Sequence, residues 1–348
     1  MREVTVRVGI VGGGVAGALL AWRLRQAAPR STIDVYTARS NDGDATSASG
    51  GLVRGFERLA PAGRLAATGL AELRANPALR AASDYREVGS VYLALSGDGL
   101  GDPVRVIEEA LPGSATLLIA PELAARYPFR GLPSGVTAVV ERHAGFVSPA
   151  GLRDAVLGWL TDRGATVRRM PVATVDPAPA LRLADGATAG YDAVVVAAGP
   201  WTPALLAASG LPAGGLRVKQ IQYTVYEGGP AGLGTFVWEG TGMWGRPAGD
   251  AGFLLGLPGD RWDVDPAGPR PDVALVDRVA NEARRLLGHP LAEHCPHRTT
   301  VSSDCYHDPP GLELREVVPG VFTFTGGSGG AAKTVVAASR VAATALLR

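Results

Sequence analysis

Three glycines spaced as Gly12-x-Gly14-x-x-Gly17 stand between an apolar segment, Val4 to Val11, and a stretch with Ala16, Leu19, Leu20 and Leu24 at helical spacing. A strand that runs through such a loop into a helix forms a cradle for a pyrophosphate. Gly12 allows the tight turn, Gly14 lets the backbone approach the phosphates, and Gly17 lets helix and strand pack closely. Val15 and Ala16 open the helix, where free N–H groups and the helix dipole favour an anion. A second strand, Thr32 to Thr37, completes the unit. An acid is expected at its end to hold ribose hydroxyls. The chain instead has Thr37, followed by Ala38 and Arg39. Thr37 offers one hydroxyl and Arg39 favours a phosphate, so the loop alone also leaves NADP open.

The cations give the second clue. Of 34 lysines and arginines, only Lys219 and Lys333 are lysine. A GC-rich genome that favours arginine codons explains the bias. Against it, a lysine that persists answers a need for a compact ammonium that the planar arginine fork does not meet. Lys333 falls in the first turn of the last predicted helix, Ala332 to Leu347, where a positive charge opposes the dipole. Arg54 follows the small, polar segment Ala45 to Gly51. A surface arginine and a helix-start lysine are the plain alternatives for these two. Lys219, in RVKQIQYTVYE, is read as structural. Cys295 and Cys305 have neither a CxxC nor a metal spacing, so neither a metal site nor a disulfide framework is expected.

The elements that must position these residues follow from periodicity. The 348 residues are 46% hydrophobic, enough for a large core. A net charge of +1 provides no field for nucleic acid or an acidic membrane surface. The 47 Gly and 26 Pro lie between periodic segments, which reads as loops and not disorder. With no signal segment and no run of 18 apolar residues, a soluble, cytoplasmic protein is expected. Helices are expected at 61–80, 103–111, from Pro149 to Gly164, and at 273–287; strands at 85–95, 167–175, 191–197, 216–226, 235–238, 242–244, 252–256 and 321–325. Two βα-type segments thus flank a β-rich middle. The fold class is α/β (α+β), a Rossmann-like nucleotide-binding domain (1–84, 140–215 and 297–348) interleaved with an antiparallel-sheet substrate domain (85–139 and 216–296).

Four segments in order carry a family resemblance: GIVGGGVAG, ATSASGGLVRGFE, HAGFVSPAGL with the later YDAVVVAAGPWTPAL, and VFTFTGGSGGAAKTVVAASRVAA. Over nearly its full length the chain resembles the D-amino-acid-oxidase superfamily of FAD enzymes, in the branch of glycine oxidase and monomeric sarcosine oxidase. It looks particularly like the glycine oxidases of macrolactam antibiotic pathways. The resemblance implies FAD, held by the glycine loop, by Thr46, Ser47, Ser49 and Gly50, by Val172 at the adenine, and by Ala198, Gly199 and Trp201. It also implies cofactor contacts from Gly326, Gly327, Ser328, Gly329, Gly330, Ala331 and Lys333. It assigns Arg54 and Lys333 to a substrate carboxylate and turns Tyr223, Met243 and Trp244 toward the substrate. The cofactor carries the chemistry, so His143, His297 and His307 are expected to be structural.

Three departures qualify the resemblance. Ser302 stands near the family's flavin-attaching cysteine, so noncovalent FAD is expected, with Cys305 the lesser candidate for attachment. Leu254 replaces the lysine that the sarcosine oxidases use to activate oxygen, which leaves oxidase and dehydrogenase both open, with O2 the expected acceptor. Ala332 replaces the phenylalanine of the terminal motif. The implied reaction is oxidation of a small amino acid, an N-substituted glycine, at its methylene carbon. Glycine, sarcosine or D-amino-acid oxidation is the rival, and a non-catalytic electron-transfer flavoprotein is the reading from another class.

Overall fold

The computed structural model describes residues 5–37, 43–249, 251–288 and 296–348. The strand Arg7–Val11 pairs in parallel with Thr32–Thr37 on one side and Ala193–Val196 on the other. All four residues of Ala193–Val196 are buried, as expected of a parallel strand covered on both faces. The six-stranded sheet runs Glu313–Val318, Val321–Thr325, Ala193–Val196, Arg7–Val11, Thr32–Thr37, Thr166–Arg169. It is parallel except at the edge pair of 313–318 with 321–325.

Helices Val15–Ala27, Pro149–Asp162 and Ala331–Leu346 cover one face. Leu19, Leu20, Leu24, Leu152, Val156, Val335 and Val336 meet in one core. The first helix is buried without interruption from Gly17 to Leu24, so it does not show the single apolar face its sequence suggests. On the other face, Val194 and Val196 pack with Val175 and Leu181 of a small antiparallel sheet.

The second sheet has eight strands in the order Pro296–Tyr306, Arg217–Glu227, Gly252–Gly256, Met243–Ala248, Thr235–Trp238, Ser90–Ala94, Thr137–Glu141, Ala115–Ile119. Its pairs are antiparallel except that of Thr235–Trp238 with Ser90–Ala94. The helix Val273–Leu287 packs Val279, Ala283 and Leu286 against Tyr226, Phe236 and Phe253 of this sheet. The strand 296–306, whose residues the sequence reading put mostly with the nucleotide unit, hydrogen-bonds to 217–227 in this second sheet.

Prolines explain two further differences. The expected strand 167–175 is two strands, Thr166–Arg169 and Val172–Asp176, which belong to different sheets and part at Met170-Pro171. The expected helix 61–80 is two, Ala60–Ala75 and Pro77–Ala82. Pro77 pushes Asn76 out of the helical region, and Asn76 then caps the second helix by accepting from the N–H groups of Ala78 and Leu79. Among the described residues no helix is long and apolar enough to cross a membrane, and no cluster suits a metal ion.

The turn from the first strand into the first helix depends on one close approach. A Cβ on Gly17 would lie 2.0 Å from the Gly12 carbonyl oxygen. Gly17→Ala is expected to cost about 1–3 kcal/mol of stability. Urea unfolding of the purified variant measures it, and an unchanged midpoint would show that the helix can move away freely.

Candidate active site

Between the sheets lies a cavity of about 750 Å³, a size suited to a large organic ligand. Gly12, Gly14, Val15 and Ala16 line it at the start of the first helix. Gly12 holds φ +116°, and a Cβ there would lie 2.2 Å from the Ala197 carbonyl oxygen. Only glycine fits. Gly17 does not line the cavity; it packs behind Gly12. Thr37 lines the cavity, as does Val172. Ala38 and Arg39 fall outside the described residues, and so does Cys295.

A second wall comes from the loop 43–51. Thr46, Ser49 and Gly50 line the cavity, and the Thr46 hydroxyl accepts the Val15 N–H at 3.1 Å. Ser47 faces elsewhere. Its Oγ accepts from Arg153 Nη1 at 3.2 Å and its N–H donates to Asp44 at 2.6 Å. Three side chains from three elements tie the loop, and no local pattern in the sequence assigns them that role. Arg153 also reaches Asp44 at 3.0 Å, Arg246 Nε donates to the Gly50 carbonyl at 2.6 Å, and Ser302 Oγ donates to the Gly43 carbonyl at 2.6 Å. Burial pushes the Arg246 pKa down. Acid-to-arginine pairing distant in sequence leaves no local pattern to read.

The remaining lining comes from three places. Ala198, Gly199 and Trp201 contribute from the short turn after Ala193–Val196. Tyr223 and Trp244 contribute from the second sheet, with ring centroids 6.0 Å apart. Gly50 has no Cβ because one would lie 2.5 Å from the Trp244 ring. Met243, expected beside the substrate, is a correction. It is fully buried in the core with Phe236 and Trp238, because alternate residues of a strand face opposite ways. Gly327, Gly329, Ala331 and Lys333 line the cavity from the last segment. Gly326, Ser328 and Gly330 do not. The Ser328 hydroxyl accepts the His307 N–H at 3.2 Å and donates to the Gly326 carbonyl at 3.1 Å, so it shapes the turn.

Arg54 and Lys333 are brought together, 279 positions apart in the chain, on one carboxylate. Lys333 Nζ lies 2.6 Å and Arg54 Nη2 2.9 Å from the same oxygen of Glu57. Glu57 was not singled out in the sequence; an acid three places after an arginine was the available signal. Burial pushes its carboxyl up, but Lys333 and then Arg54 outweigh that and hold it below the usual carboxylate range. Burial, then Arg54, pushes the Lys333 ammonium down against the opposing pull of Glu57. The turn is fixed from beneath by Glu141, which accepts the N–H groups of Gly55 at 2.7 Å and Phe56 at 3.0 Å. Glu141 is fully buried, and burial pushes its carboxyl up. Arg54 Nε donates to the Phe56 carbonyl at 3.2 Å. These contacts occupy two of the five arginine N–H donors and one of the three on lysine. Both side chains still border the cavity.

Of the other candidates, Cys305 is wholly buried in the core and does not border the cavity, and burial pushes its thiol up to about 11. Leu254 is buried and off the cavity wall. Lys219, read as structural, does border the cavity. His143 contacts Glu87 at 2.8 Å, and His307 contacts the Gly214 and Pro309 carbonyls, in keeping with structural roles.

Residues 7–345 match the family model of the FAD-dependent oxidoreductases called DAO. The chain belongs to that family. Its fold is similar to glycine oxidase from Geobacillus kaustophilus (19% identity, 99% of this chain and 95% of the other, TM-score 0.79). It is also similar to NikD, an amino acid oxidase essential for nikkomycin biosynthesis (20%, 98% and 93%, TM-score 0.74). A third likeness is to iminodiacetate oxidase from Chelativorans sp. BNC1 (20%, 98% and 94%, TM-score 0.71). A search of curated proteins finds no match. The family is FAD-dependent, and the lining suits that cofactor. A glycine cradle that excludes any Cβ stands at the start of a helix, and small residues line the two facing loops.

Two expectations follow. Glu57→Gln removes the shared anion and leaves two buried cations facing each other, at a cost of about 3 kcal/mol near neutral pH. Because the Glu57 pKa is lowered in the folded state, this contribution is present above its ordinary value and is lost as pH falls through the folded value. Thermal unfolding of both proteins from pH 7 downward should therefore show the gap closing in acid; a gap independent of pH would remove Glu57 from the pair. Ser302 offers no thiol, so acid precipitation of the purified protein should release all the yellow colour into the supernatant. Flavin retained in the pellet would show a covalent link.

Proposed function

We propose that this oxidoreductase oxidises an N-substituted glycine, such as an N-carboxymethyl-3-amino acid, to the free amine and glyoxylate. The observation that carries the reading is the convergence of Arg54 and Lys333 beside the cavity. Two cations share one internal carboxylate, so the group has positive charge and unused N–H donors to offer a second, incoming carboxylate.

FAD, when bound, supplies the acceptor for a hydride leaving the carbon beside the substrate nitrogen. The chain supplies position. Arg54 and Lys333 hold the glycyl carboxylate and so fix the methylene carbon attached to it. Tyr223 and Trp244 close the cavity around the substrate and exclude water. The amine enters neutral, with its lone pair free to form the carbon–nitrogen double bond. The carbon loses a hydride and the nitrogen a proton; water then adds across the imine, which splits into amine and glyoxylate. No histidine lines the described cavity, and none is needed as a base. With O2 as final acceptor the two electrons and two protons leave as H2O2.

Two structural neighbours support an amine substrate: one is an iminodiacetate oxidase and the other, NikD, an unusual amino acid oxidase essential for nikkomycin biosynthesis. We place the reaction in the cytoplasm, in the unmasking of a β-amino acid for antibiotic assembly. The cavity-lining residues Gly12, Gly14, Val15, Ala16, Thr37, Thr46, Ser49, Gly50, Val172, Ala198, Gly199, Trp201, Gly327, Gly329 and Ala331 are proposed to hold FAD, noncovalently.

The test is anaerobic bleaching of the bound flavin with glyoxylate measured alongside. N-(carboxymethyl)-3-aminobutanoate is expected to bleach at lower concentration than sarcosine or glycine, and Lys333→Met to keep the yellow cofactor while lowering kcat/KM about 100-fold or more. Bleaching by sarcosine alone would overturn the substrate assignment, and unchanged kinetics in Lys333→Met would overturn the carboxylate clamp.

A further inference from the structure

Lys219 is the second of the two lysines, and its surroundings differ from those of Lys333. It projects from the strand Arg217–Glu227 and lines the same cavity as Ile221 and Tyr223, two and four residues on. Its ammonium lies 4.6 Å from the ring centroid of Trp262 and 5.4 Å from that of Tyr306. The two rings meet edge to face at 5.1 Å. Arg217 stacks on Trp262 as well and is neutralised by Asp263 at 2.6 Å.

Among the described residues, no carboxylate pairs with Lys219. Asp304 is its partner in strand register, but Asp304 accepts the Gly329 N–H at 3.1 Å instead. Burial lowers the Lys219 pKa, partly opposed by Asp260. A half-buried ammonium without an anion is costly. Faces of aromatic rings offset part of that cost and hold the side chain in place. Arg54 and Lys333 share one internal anion, Glu57, while Lys219 borders the cavity with no paired carboxylate among the described residues.

The ring beside Lys219 and the Lys333 side chain both approach the short loop at Gly329 and Gly330. Tyr306, which flanks Lys219, brings its hydroxyl within 3.3 Å of where a Cβ on Gly329 would lie, and Lys333 Nζ lies 3.3 Å from that point on Gly330. One cavity therefore offers two separate cationic centres.

We propose that Lys219 is the residue that selects for a second carboxylate, receiving the one on the far side of the amine. This rests on the function proposed above. One carboxylate lies on Arg54 and Lys333, the other on Lys219, and the amine and its methylene carbon lie between. Tyr306, which lines the cavity, packs against the chain that joins the amine to the second carboxylate, and Trp262 holds the lysine from behind. Glycine and sarcosine leave Lys219 unused.

The test separates recognition from turnover. The holoenzyme is titrated with two thioethers that cannot be oxidised in this way, 3-(carboxymethylthio)butanoate with two carboxylates and butylthioacetate with one, and binding is read from the flavin spectrum. The dicarboxylate is expected to bind about tenfold tighter or better. Lys219→Met should bring its affinity to that of the monocarboxylate and leave the monocarboxylate unchanged. Equal affinities in the wild type overturn the proposal without any variant, as does an equal loss for both ligands in Lys219→Met. Bleaching by the corresponding amines is measured separately. Bleaching without a dicarboxylate preference defeats the Lys219 assignment and spares the oxidase reading; a dicarboxylate preference without bleaching does the reverse.

Discussion

The shared contact of Arg54 and Lys333 with one oxygen of Glu57 is the constraint around which the site is built. Two positive charges this close and this buried repel each other, and a carboxylate between them is what makes the arrangement affordable. Glu57 reaches that point only because the turn 54–57 is pinned. Glu141 accepts two backbone N–H groups of that turn from the end of the strand Thr137–Glu141 in the second sheet. Lys333 reaches it because the last helix begins at Ala331, after Val321–Thr325 has crossed the first sheet. The charge cluster thus joins both sheets and fixes the cavity between them.

The same logic holds the loop 43–51. Its short residues form one wall of the cavity but contribute little packing of their own. Two arginines take up that work: buried Arg153 through Asp44 and Ser47, and half-buried Arg246 through the Gly50 carbonyl. The planar fork of arginine suits multiple hydrogen bonds to fixed oxygens. The two lysines stand where a fork is not what is needed, one on a carboxylate and one between aromatic faces. The compositional bias against lysine thereby becomes a structural distinction.

Some of this was legible in the chain. The strands 32–37 and 321–325 and the helix 273–287 are read to the residue, because apolar periodicity and caps are local properties. Gly12 and Gly17 are legible because close approach of backbone to backbone leaves no alternative residue. Arg54 and Lys333 were legible as a pair through the resemblance, and Lys333 also through its opposition to the helix dipole. The strands 115–119, 137–141 and 313–318 were not. Their side chains alternate poorly because their burial is set by partners far away, and Ile119 and Leu117 are exposed.

The sequence by itself determined the nucleotide cradle, the order of the main elements and the family, since these rest on local spacing and backbone sterics. Tertiary structure alone decided which face of each strand meets the cavity. It turned Met243 into the core and Trp244 outward, hid Cys305, and gave Ser47 to Arg153. It also decided the charge pairing, which put Glu57 between Arg54 and Lys333 and left Lys219 without an anion among the described residues. Electrostatic pairing depends on distance in space and on burial, and neither is written in the spacing of residues along the chain.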